Sequence, residues 1–157
     1  MTLAGALGMF VAIIADQITK NIVESNLEYF SRIDLISWLF GFRYVNNEGI
    51  AFGMLDFLPI EFIYSLSAGI SFVILILAII YRNFLTIWEN LFLGFIIGGA
   101  LGNNIDRIRF GYVVDFLELP YWPVFNLADT FIVAGAALLL FSFYRRERIA
   151  SKNNNFE

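Results

Sequence analysis

The sequence contains no cysteine and no histidine, only three prolines, and charged side chains at just 15% of its 157 positions. Without cysteine there is no disulfide and no thiolate nucleophile. Without histidine the commonest general base is missing, and so are the usual ligand sets for zinc, haem and iron–sulfur clusters. So little charge, against about 25% in soluble domains, excludes an ordinary water-soluble globule. The net charge is −4, with no basic stripe to meet phosphates, so no nucleic-acid partner is expected. Chemistry must come from carboxylates, amides, hydroxyls, lysine or arginine.

What is there is apolar: 59% of the residues are hydrophobic and 18% aromatic. A hydrocarbon core about 30 Å thick takes roughly 20 residues of helix, and four stretches approach that length, at about 3–23, 60–81, 85–104 and 124–144. The expectation is an α-helical integral membrane protein, a single membrane domain over 1–157 with four transmembrane helices. The first stretch is not read as a cleavable leader, because no basic segment precedes it and Asp16 and Lys20 fall inside it. Loops 24–59 and 105–123 then share one face, opposite the short loop 82–84 and both termini. Arg145, Arg146, Arg148 and Lys152 place the C-terminus in the cytoplasm, although Lys20, Arg32, Arg43, Arg107 and Arg109 load the other side equally.

The first long loop reads as extended chain. Leu35 to Val45 is rich in β-branched and aromatic residues, Asn46 to Gly49 is turn-like, and Ile50 to Leu55 resumes an apolar run. This is the pattern of a hairpin in a small extracytoplasmic β-sheet or cradle, with Trp38 suited to the membrane interface. Gly111 to Phe116 in the second loop is also extended in character, ahead of Pro120 and Pro123. The polar tail from Ser151 is expected to fray.

An ionisable residue at membrane depth costs roughly 2.5–3.5 kcal/mol on insertion scales, so each needs a partner or a task. Asp16 and Lys20 lie toward the end of the first span, Asn103, Asp106 and Arg107 at the end of the third, and Asn126 and Asp129 at the start of the fourth. With alternating directions all fall at one face, which points to a polar pocket rather than a path through the bilayer. Structural readings compete at each. Asp16 and Lys20 are spaced for a helical ion pair, Asp106 and Arg107 for a local pair, and Asn126 and Asp129 for a helix cap. Gly94, Gly98 and Gly102 form a stripe suited to close helix packing. Asp115, a carboxylate inside an apolar run, has no partner nearby in the sequence. Two carboxylates in one poorly solvated site share a proton, and such a pair can split water against a carbonyl.

Five motifs occur in order: Asp16-Gln17-x-x-Lys20; Asn47-x-Gly49-x-Ala51-Phe52-Gly53; Gly98-x-x-x-Gly102-Asn103-x-x-Asp106-Arg107; Val113-Val114-Asp115-Phe116; and Phe125-Asn126-x-Ala128-Asp129. In order and approximate spacing they resemble those of the bacterial lipoprotein signal peptidases, or type II signal peptidases, over nearly the whole chain. The resemblance implies a multi-pass aspartic endopeptidase of the bacterial inner membrane, with its active site toward the extracytoplasmic face. It would cut signal peptides from diacylglyceryl-modified prolipoproteins, N-terminal to the lipidated cysteine. It also implies that Asp115 and Asp129 form the catalytic dyad and that Asn103, Arg107 and Asn126 line or brace the site. Asn47 and Gly49 would lie in a substrate-contacting loop, with Asp16, Lys20 and Asp106 as structural support. Asn46 stands where many members have arginine. The implied partners are prolipoproteins, membrane lipid and inhibitory globomycin-type cyclic peptides. No metal or organic cofactor is implied, and a monomer is the expectation.

Two other functions compete. A small transporter or channel needs polar residues at several depths, yet the second span offers only Ser65, Ser67 and Ser71. A non-catalytic assembly protein explains the glycine stripe but gives no reason for the two aspartates.

Overall fold

The structure is a computed structural model in which residues 1–37, 39–49 and 59–154 are described. Its elements are α1 (Leu3–Asn26), β1 (Arg32–Ile36), β2 (Phe40–Asn47), α2 (Ile60–Tyr81) with a 3₁₀ turn at Arg82–Phe84, α3 (Ile87–Phe110), β3 (Val113–Glu118) and α4 (Leu127–Asn154). Three helical segments, Leu3–Asn26, Ile60–Phe84 and Leu127–Ile149, are long and apolar enough to cross a membrane by length and composition. The fourth helix, α3, carries too many polar groups for that measure because it is the centre of the bundle: α1, α2 and α4 all pack against it.

Local chemistry sets the ends of α3. Thr86 and Glu89 close a capping box at its start, and Gly111, with φ of 78°, turns the chain at its end, a left-handed conformation that glycine adopts without a Cβ penalty. The helix therefore runs on beyond residue 104 and carries Asp106 and Arg107 within its last turns. At α4 the helix begins at Leu127 rather than near Val124. Phe125 is held in extended form instead, its N–H donating to Leu117 O at 3.0 Å and its carbonyl accepting from Leu117 N at 2.7 Å. The tail expected to fray is helical through Asn154, with Lys152 in the last turn suiting the helix C-terminus.

The sheet is antiparallel in the order β1-β2-β3. The hairpin of β1 and β2 turns between Ile36 and Phe40, and the second strand expected after Asn46–Gly49 lies outside the described residues. Asn46 and Asn47 continue β2, opposite Val114 and Val113 of β3, because the ladder to β3 satisfies their backbone groups. Trp38 and the run Ile50–Leu55, including Ala51, Phe52 and Gly53, lie outside the described residues. Val23 of α1, Tyr44 of β2, and Val114 and Phe116 of β3 form one apolar cluster with Leu127 at its edge. That cluster seats the sheet on one end of the bundle.

Polar and charged side chains are buried beside the apolar core, while large apolar ones cover the exterior. Lys20, Asp16, Asp106, Asp115, Glu89 and Asn126 are each no more than 2% exposed, whereas Phe62, Ile70, Phe72, Val133, Leu140 and Phe141 point outward. This inversion of the soluble pattern is what a hydrocarbon solvent demands.

Candidate active site

Small residues let the helices approach closely enough for short polar side chains to meet. A Cβ on Gly98 would lie 2.4 Å from Met9 O, and one on Gly102 would lie 2.5 Å from Asp16 Oδ2. The bare α3 surface at Gly102 is thus where the Asp16 carboxylate rests. The stripe expected to pack helices does so between α1 and α3.

Asp115 projects from β3 and Asp129 from the first turn of α4, and one side chain joins them. Asn126 Nδ2 donates to Asp115 Oδ1 at 2.7 Å. Asn126 Oδ1 accepts from the Asp129 backbone N–H at 2.9 Å, and the Asn126 N–H donates to Asp129 Oδ2 at 3.2 Å. The capping and site readings of this pair therefore hold together: the cap that starts α4 is also the bridge between the carboxylates. Asn103 adds a second link, with Nδ2 donating to Asp129 Oδ1 at 2.8 Å and Oδ1 accepting from Asn126 Nδ2 at 3.0 Å.

Strand register supplies the third amide. Asn47 lies opposite Val113, so it shares a sheet face with Asp115 two residues on, within diagonal reach. Its Nδ2 donates to Asp115 Oδ2 at 2.8 Å, while its Oδ1 is held by the Gly49 N–H at 3.0 Å. Burial and the charge of Asp129 push the Asp115 carboxyl up to about 7, against the pull of the Asn47 and Asn126 donors.

Behind the carboxylates sits a buried ionic cluster. Lys20 Nζ lies 2.9 Å from Asp16 Oδ2 and 2.8 Å from Asp106 Oδ2, and donates to Asn103 Oδ1 at 2.9 Å. The pairing expected of Asp16 and Lys20 is present. Asp106 pairs with Lys20 rather than with its neighbour Arg107, because adjacent helical residues do not face each other. Arg107 instead turns toward α2, donating at 3.4 Å to Ser67 Oγ.

Beside Asp115 opens a cavity of about 710 Å³ lined by Asp115, Asn47, Gly49 and Glu48 and by Ile60 and Ile63 of α2, among others. Its size and half-polar wall suit a peptide segment.

Nine of the ten residues singled out from the sequence are linked to one another by hydrogen bonds and ion pairs, whereas Arg107 bonds to Ser67 of α2. Others went unassigned in the sequence. Gln17 Nε2 donates to Asp106 Oδ1 at 2.8 Å, and Asn104 ties α3 to α2 by accepting from Ser67 Oγ at 2.7 Å and donating to Ser71 Oγ at 3.0 Å. Their polarity inside apolar runs was the available signal. The cavity-lining Ile60 and Ile63 carried none.

A family model described as Signal peptidase (SPase) II matches residues 8–145. The chain is 43% identical over 141 residues to a lipoprotein signal peptidase of Halothermothrix orenii, covering 90% of this chain and 95% of that one. It is 41% identical to that of Nostoc punctiforme, with 87% of each covered, and 36% identical to that of Geobacter metallireducens, with 92% of each covered. Two solved structures, both described as a bacterial membrane enzyme, are similar at 25% identity. One has a TM-score of 0.79 over 90% of this chain and 87% of its own, the other 0.76 over 88% and 91%. With these likenesses spanning helices, sheet and carboxylate site alike, the chain belongs to the signal peptidase II family and is a protease of the bacterial inner membrane.

Proposed function

We propose that Asp115 and Asp129 are the catalytic dyad and that the enzyme hydrolyses the peptide bond N-terminal to the diacylglyceryl-modified cysteine of a prolipoprotein. The observation that carries this reading is that both carboxylates bond to Asn126, with Asp115 in the wall of a cavity large enough for a peptide. The pair shares one proton, held at the start by Asp115, whose carboxyl lies up near 7 and can hydrogen-bond the scissile carbonyl oxygen. Asp129 takes a proton from water as the oxygen of that water adds to the carbonyl carbon. Collapse of the tetrahedral adduct moves a proton to the departing nitrogen. The signal peptide leaves as a carboxylic acid and the lipidated cysteine with a free amino group.

Asn47 and Asn126 hold Asp115 in place, and the segment from Asn46 to Gly49 at the end of β2 borders the peptide. The lipid anchor of the substrate stays among membrane lipids while its peptide enters the cavity. The termini lie in the cytoplasm, the sheet and site toward the extracytoplasmic face, the enzyme acts as a monomer, and globomycin-type cyclic peptides block it.

Asp115→Asn and Asp129→Asn test this directly. Each is expected to lower cleavage of a lipidated precursor by about 10²–10⁴-fold while the protein still inserts and binds precursor. Native-like cleavage by either variant would refute the dyad.

A further inference from the structure

Each asparagine at the carboxylates has its amide oriented by a group that can only donate to its oxygen. For Asn47 that group is the Gly49 backbone N–H, and for Asn126 the Asp129 backbone N–H. For Asn103 the Lys20 ammonium sets the orientation, and the Asn126 amide adds a second donor. An ammonium has three protons and no lone pair, and here all three are met, by Asp16 Oδ2, Asp106 Oδ2 and Asn103 Oδ1. Asn103 Oδ1 must face Lys20, so Nδ2 must face Asp129.

The two carboxylates on Lys20 reach the dyad by separate routes. Asp16 Oδ1 accepts the N–H of Ala128 at 2.9 Å, and Ala128 immediately precedes Asp129. Asp106 Oδ2 accepts the N–H of Val114 at 3.1 Å, and Val114 immediately precedes Asp115. One buried cation therefore governs an amide on Asp129 and the backbone ahead of both aspartates. These come from α1, α3, β3 and α4, which nothing covalent holds in register.

A helix brace alone would not need this arrangement. Buried ion pairs repay their desolvation poorly, and apolar replacements of similar shape are often as stable. A donor-only charge aimed at Asn103 adds what an apolar brace lacks, a defined direction for the hydrogen bonds that end on the dyad.

We propose that Lys20 is a positioning residue of the peptidase: it sets the direction of the Asn103 amide and, through Asp16 and Asp106, the spacing of Asp115 and Asp129. This rests on the dyad reading above. The test measures kcat and KM of the full-length enzyme in vesicles with a diacylglyceryl-modified precursor peptide. Lys20→Met and Lys20→Arg are compared beside Asp115→Asn and Asp129→Asn. Misplacement by about 1 Å costs about 100-fold in rate, so Lys20→Met is expected to lose about 100-fold in kcat per folded molecule with KM within twofold. Lys20→Arg, which restores a donor-only cation, is expected to recover at least tenfold of that loss.

Should Lys20→Met fail to give monodisperse protein, the double variant Lys20→Gln with Asp106→Asn keeps the cluster's net charge and is held to the same thresholds. A native kcat without Lys20, a loss expressed in KM alone, or an equal loss in the methionine and arginine variants would overturn the proposal. Retained cleavage in the two aspartate variants would instead overturn the dyad. Loss there with a native kcat in Lys20→Met would leave the dyad standing and remove only the role of Lys20.

Discussion

Asp115 sits 2% exposed on a strand, between two amide donors and near a second carboxylate, and burial dominates its titration. Its carboxyl lies at about 7 against an ordinary 3.8, which ties stability to pH with a definite sign. Below about pH 4 the group is protonated in both the folded and unfolded chain. Between about 4 and about 7 the unfolded chain releases the proton that the folded one keeps, so stability falls as pH rises and levels off above 7. At about 1.4 kcal/mol per tenfold the whole effect is about 4 kcal/mol. Asp115→Asn lacks this loss, so the melting temperature of the variant minus that of the native protein is expected to climb from pH 4 to 7 and then stay flat. A difference independent of pH would show that Asp115 titrates normally. At this scale the sequence was informative where a residue type was out of place: a carboxylate in an apolar run, asparagines beside helix ends. It misled at Asp106 and Arg107, whose adjacency in sequence is a separation in direction once the chain is helical.

Helices here are held by what their surfaces lack. Gly98 faces Met9 O and Ala12 Cβ at distances no side chain tolerates, while Gly69 on α2 faces open space. Gly98→Ala is therefore expected to destabilise the protein by about 1–3 kcal/mol through overpacking. Gly69→Ala should be neutral or stabilising by up to about 1 kcal/mol, and thermal unfolding of the two variants side by side measures the contrast. Equal midpoints would mean that α1 and α3 do not approach as closely as the structure has them. Element identity was readable from length and apolar content for all four helices. The strand pairing of Asn46 and Asn47 was not, because it depends on Val114 and Val113 of β3, far away in sequence.

At the scale of the whole molecule, the polar groups gather at one end of the bundle under the sheet, and the opposite end is tied by Glu89, whose carboxylate accepts from Ser142 at 3.0 Å and pairs with Arg146 at 3.2 Å. A transporter needs polar groups along its length, whereas Asp16, Asp106, Asp115, Asp129, Lys20 and the amides of Asn47, Asn103 and Asn126 form one hydrogen-bonded cluster with a cavity beside it. Orientation is open to direct measurement, because the chain has no native cysteine. With the sheet outside, Asp34→Cys is expected to react with a membrane-impermeant maleimide on intact cells, and Arg148→Cys only after lysis. The reverse pattern would invert the topology.

By itself the sequence determined the solvent, the number of long helices, the absence of histidine and cysteine chemistry, and the residues from which a hydrolytic site can be built. These follow from composition, period and residue type, which are properties of short stretches of chain. Only the tertiary structure decided which of those residues touch. The bridge of Asn126 between two carboxylates, the reach of Asn47 across a strand pair and the three acceptors on Lys20 join distant segments, Asn47 lying 68 positions from Asp115 and Lys20 lying 83 from Asn103. Such contacts exist because glycines on α3 let neighbouring backbones close in, and because a buried charge without its partners would cost more than the fold can spare.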